Sequence, residues 1–156
     1  MPTMANQQFT GQELFPLLRP EQVHALSEVA ESISLQAGET VYERGDLAEH
    51  LFVVLEGQVS LRLARSDGPS LVIDEAVDGD IFGYCVCLDL HTYSLTAVCA
   101  ENTRLLKIRA ETLKKLMDRD LMTGYSVQTL ISRVYFKRYL ETMKKLQAIV
   151  QCGDGL

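Results

Sequence analysis

The sequence has no tryptophan, only four prolines and three histidines, and no lysine or arginine between Arg65 and Arg104. Each scarcity excludes something. His24, His50 and His91 form no His-x-His or His-x-x-x-His pair, and Cys85, Cys87, Cys99 and Cys152 form no Cys-x-x-Cys, so the ligand spacing of a zinc site is missing and no metal is expected. The same spacing gives no disulfide framework, and the thiols read as structural core groups. The longest nearly uncharged apolar run, Ile81 to Leu88, falls far short of the roughly 20 residues of a membrane helix, and the start of the chain lacks a basic and then apolar leader pattern. A cytoplasmic protein without membrane contact is expected. No Gly-x-Ser-x-Gly elbow, phosphate-binding loop or His-Glu-x-x-His occurs, so the expectation is a protein that is not an enzyme and acts by binding.

What is present is a chain of 156 residues, 47% of them hydrophobic, enough for one domain with its own core. The net charge of -6 divides unevenly: residues 1–103 carry 4 basic and 16 acidic side chains, residues 104–156 carry 11 and 5. A basic C-terminal segment beside an acidic body suits a solvated helix face or a docking surface better than nucleic acid, because the acidic remainder repels phosphate.

Pattern divides the chain into three. Residues 10–30 read as helical, with Thr10 and Glu13 as a capping pair, Pro20 as a restart, and Val23, Leu26, Val29 and Ala30 on one side. From Ser32 to Ile108 the period is two. The β-prone runs are 32–35, 40–42, 50–55, 58–64, 70–76, 81–82, 96–99 and 105–108, with a turn at Ser66-Asp67-Gly68-Pro69. Eight short strands with regular turns argue a mainly β sandwich or jelly roll. After a short helix at 110–117, a long one is expected over about 122–150. Its stripe Val127, Ile131, Tyr135, Tyr139, Met143, Leu146 and Val150 is too long to dock wholly on its own body.

The stretch Gly38 to Gly57, with Gly38, Gly45, Asp46, Leu51-Phe52-Val53-Val54 and Glu56-Gly57-Gln58-Val59, followed by Gly79-Asp80-Ile81-Phe82-Gly83, resembles the cyclic nucleotide-binding domain of catabolite activators and kinase regulatory subunits. The resemblance covers roughly residues 14–117. It implies a double-stranded β-helix sandwich over 1–118 and a C-terminal helix over 119–156 that forms a homodimer and walls the ligand site. It also implies a phosphate-binding cassette after Phe82-Gly83, with a Glu for the ribose hydroxyl and an Arg for the phosphate. Here those positions hold Tyr84 and Ser94, or Tyr93 if the loop differs by one residue. The expected pocket residues are therefore Phe82, Gly83, Tyr84, Cys85, Val86, Ser94 and Leu95, an apolar and aromatic set that disfavours cAMP and cGMP.

Three readings follow from the resemblance. The first is a stand-alone regulatory or sensor module for an unknown effector or protein partner. The second is a scaffold with a self-filled pocket. The third is the effector domain of a transcription regulator whose DNA-binding part lies elsewhere, this chain making no DNA contact. No cofactor is expected; haem, with His91 or a nearby Cys as axial ligand, is the alternative.

Overall fold

In the computed structural model, residues 19–83 and 90–154 are described. A first helix α1 (Pro20–Glu28) precedes eight strands: β1 (Ala30–Leu35), β2 (Thr40–Tyr42), β3 (His50–Glu56), β4 (Gln58–Arg65), β5 (Gly68–Val77), β6 (Ile81–Phe82), β7 (Thr96–Cys99) and β8 (Thr103–Arg109). Two helices follow, α2 (Ala110–Arg119) and α3 (Leu121–Asp154). The strands form two antiparallel four-stranded sheets, in the orders β1-β8-β3-β6 and β2-β7-β4-β5. The architecture is the expected mainly β sandwich with helices at both ends.

The strand sequences say which sheet is covered twice. Along β3, Leu51, Val53 and Leu55 join a core with Leu26 of α1, Leu113 and Leu116 of α2, and Val127, Leu130 and Ile131 of α3. The alternate residues Phe52 and Val54 enter a second core, inside the sandwich, with Val59, Leu61, Phe82 and Leu105. A strand buried on both faces has no wet side, hence the unbroken apolar run 51–55. On β4, Val59 and Leu61 face the interior and Arg62 takes the other face, the alternation of a strand with one partly solvated side.

All eight strand runs are found, with two boundary corrections. Val29 and Ala30 are not helical: α1 ends at Glu28, and Ala30 opens β1 by pairing with Ile108. The β4–β5 turn is the two residues Ser66-Asp67, because Gly68 and Pro69 already belong to β5 and Arg65 pairs with Gly68. At the other end, Asp120 joins two helices. Its amide donates to the Leu116 carbonyl, closing α2, and its carboxylate accepts from the Thr123 amide (3.2 Å) and hydroxyl (2.8 Å), starting α3. These bonds, the hydroxyl first, hold the Asp120 carboxyl below its ordinary 3.8. In the first turn of α3, a Cβ on Gly124 would lie 2.9 Å from the Met117 carbonyl oxygen, so the helices meet there without a side chain between them.

Candidate ligand site

The interior site is built around four aromatic rings from different segments. Phe82 of β6 stands opposite Phe52 of β3 in register, and their rings stack with centroids 5.1 Å apart. Tyr42 of β2 stacks on Tyr93 at 3.6 Å and 13°, and lies 6.1 Å from Phe82. The Tyr93 hydroxyl donates to the His50 carbonyl (2.8 Å) and accepts from the His50 amide (3.1 Å), so a buried phenol satisfies its polar end on the backbone of β3. The backbone of Tyr93 is held as firmly: Gly45 N–H donates to its carbonyl, and its own amide donates to the Asp46 carbonyl.

Gly83 ends this arrangement with φ +72, a left-handed conformation that glycine adopts freely. A Cβ there would meet Phe52 at 3.1 Å, the His50 carbonyl at 3.3 Å and the Tyr93 ring at 3.4 Å. The chain therefore leaves β6 pressed against the aromatic cluster. Tyr84, Cys85 and Val86 of the expected pocket lie outside the described residues. Ser94 is exposed, whereas Leu95 packs on the interior cluster. Parity is the reason: Tyr93, Leu95, Ala97 and Cys99 alternate inward, and Ser94 falls between them.

Charge is placed elsewhere. Arg62 pairs with Thr96 on the face of β4 opposite Leu61. Arg65 lies 3.8 Å from Asp67, and Arg104 lies 3.6 Å from Glu56. Arg138 of α3 reaches the open side of the sandwich, where its Nε lies 2.6 Å from an Asp74 carboxylate oxygen and its Nη2 donates to the Ile81 carbonyl at 2.7 Å. The carboxylates are also occupied: Asp80 accepts from the Val77 amide within its own turn, and Asp78 accepts from the Gly57 amide, tying that turn to the one between β3 and β4. Asp89 lies outside the described residues.

Two titrating groups border the cluster. Burial, with Lys107 and Arg109 adding repulsion, holds His50 below its usual 6.5. Burial pushes the Cys99 thiol up, which keeps it protonated and poorly nucleophilic. His91 is exposed, and its carbonyl accepts from the Ala48 amide.

Of the helix positions singled out, Val127 (4% exposed) and Ile131 (1%) are core residues, whereas Tyr135, Tyr139, Met143 and Leu146 are each 50% or more exposed. Sequence reasoning missed Tyr42 and Phe52 as ring partners of Phe82 and Tyr93. It also missed Arg138 and Asp74 as a pair, since nothing in their local patterns links residues that far apart. No helix among the described residues is long and apolar enough to cross a membrane.

Comparison with known proteins agrees with this geometry. A cyclic AMP receptor protein of Thermus thermophilus is 28% identical over 123 residues, 79% of this chain and 57% of that protein, so the match spans little more than half the relative's length. A cyclic nucleotide-binding domain from Methylobacillus flagellatus superposes with a TM-score of 0.79 at 17% identity, covering 92% of this chain and 81% of that one. The regulatory subunit of a cAMP-independent protein kinase A from Trypanosoma brucei does so at 0.75 and 20% identity, covering 92% and 50%. These two likenesses concern the fold. The sequence profile of the cyclic nucleotide-binding domain matches residues 32–120, more than half of the chain, and the protein belongs to that family.

Proposed function

We propose that this chain is a regulatory module that acts by binding and by pairing with a second copy through residues 119–156, and that it is not an ordinary cAMP or cGMP receptor. The observation that carries the reading is the inward face of Tyr93, Leu95, Ala97 and Cys99, stacked against Tyr42 and packed beside Phe52 and Phe82, where a cyclic phosphate would want a guanidinium. Arg65 and Arg104 lie beside Asp67 and Glu56, Arg62 takes the outer face, and Arg138 is matched by Asp74. A phosphate without a charged partner forgoes about 1.5–3 kcal/mol, which weakens binding roughly 10- to 100-fold.

An uncharged or apolar effector suits the aromatic lining better. A ligand that prefers one of two helix positions would then carry the signal. The close stacking of Tyr42 on Tyr93 favours a second reading, in which the side chains themselves fill the interior and the module serves as a dimerising scaffold. Thermal-shift measurements against nucleotides, haem and neutral metabolites separate the two. A ligand of the native state raises the melting temperature by mass action, and a flat response across all of them with intact dimers supports the scaffold.

A further inference from the structure

The two faces of the distal half of α3 differ in kind. Val134, Arg138, Glu141 and Lys145 recur at spacings of 4, 3 and 4 and continue the buried face of Val127, Leu130 and Ile131. Past Val134 this inward face is ionic. Opposite it lie Asp74, Glu75 and Asp80, which with Val134, Lys137, Arg138 and Glu141 line a polar cleft of about 140 Å³. The outward face carries the exposed Tyr139, Met143 and Leu146.

Arg138 and Lys145 bind the two strands that end the sheets on this side. β5 is an edge of one sheet and β6 an edge of the other. Leu61 pairs with Asp74 and Arg62 with Val72, which leaves Ile73 as an extra residue at a bulge. Lys145 donates to the Ile73 carbonyl at 3.1 Å, and Arg138 spans Asp74 on β5 and the Ile81 carbonyl on β6. The Arg138 and Asp74 side chains are only 14% and 19% exposed, unlike the solvent-washed pairs on the rest of the surface.

We propose that Arg138 and Asp74 form a clasp that holds the distal half of α3 against the sandwich, and that opening it releases that half as an arm while the proximal half stays docked. The distal half is thus attached by a shielded ion pair and carbonyl bonds, whereas the proximal half is attached by the apolar contacts of Val127, Leu130 and Ile131. The clasp fastens the same helix that is proposed to pair with a second copy, but it works within one chain and needs no dimer.

The test is hydrogen exchange of the intact protein, followed by mass spectrometry of peptides. Wild type, Arg138→Met, Asp74→Asn and the double variant are compared, each also in a Tyr139→Asp background that removes any second copy. In that background Arg138→Met, which also loses the bond to the Ile81 carbonyl, should raise exchange over residues 135–150 by roughly 10-fold, Asp74→Asn should raise it by less, and the double variant should exceed Arg138→Met by nothing, because Asp74 acts only through Arg138. Peptides over 123–131 should be unchanged. Unchanged exchange over 135–150, or equal acceleration in the sandwich strands, would overturn the proposal. Failure of the dimer reading is read separately, from the mass of the wild-type protein in solution.

Discussion

The two halves of α3 have the same apolar spacing and opposite surroundings. In the proximal half, Thr123, Val127, Leu130 and Ile131 are buried against α2 and the outer face of β3. In the distal half, Tyr135, Tyr139, Met143 and Leu146 stand in the open. Helical geometry explains the divergence. Residues four apart are offset by about 40°, so the run Val127, Ile131, Tyr135, Tyr139, Met143 turns through ~160° around the helix. It begins facing its own sandwich and ends facing away. An apolar stripe at spacing four is therefore not a single face, and here it is buried at one end and exposed at the other.

Substitutions can break that contrast, in order of size. Ile131→Ala in the proximal half should cost about 3 kcal/mol in chemical denaturation, the toll of a cavity in a fully buried core, while Met143→Ala should move the monomer's stability by less than about 0.5 kcal/mol. Tyr139→Asp should leave the melting temperature of the domain nearly unchanged and convert a dimeric mass in light scattering to a monomeric one. A wild type that is already monomeric would remove the dimer from the account. Gly124→Ala should destabilise by about 1 kcal/mol despite the better helix propensity of alanine, because its Cβ would press on the Met117 carbonyl where α2 crosses α3.

The smallest effect concerns the start of the proximal half. The Asp120 carboxyl is held below its ordinary 3.8 by Thr123, so its contribution to stability is present above that value and lost as pH falls through the lowered one. Asp120→Asn should flatten the decline of melting temperature below about pH 4 and leave neutral-pH exchange over 135–150 unchanged.

The body was legible because its grammar is local. Strands alternate or run apolar between glycine turns, and all eight positions follow from that. The continuous run Leu51 to Leu55 was legible as a strand, and its burial on both faces came from the structure. What could not be read were relations between distant segments. Nothing in the local pattern around Asp74 marks a partner, yet it faces Arg138, 64 positions on in sequence. The inward position at the start of β7 was within reach: counting back in twos from Cys99 through Ala97 gives Leu95 and Tyr93, and sets Ser94 outside. The Tyr42–Tyr93 stack was not, because β2 and the 91–95 segment become neighbours only through the sheet order.

The central proposal is that the aromatic interior of this cyclic nucleotide-binding domain offers, among the described residues, no cation for a cyclic phosphate. Titration calorimetry of the wild-type protein with cAMP and with cGMP, with adenosine and guanosine as phosphate-free controls, tests it most directly. The account predicts no saturable heat at micromolar concentrations for either nucleotide. Micromolar binding that the nucleosides do not reproduce would contradict it.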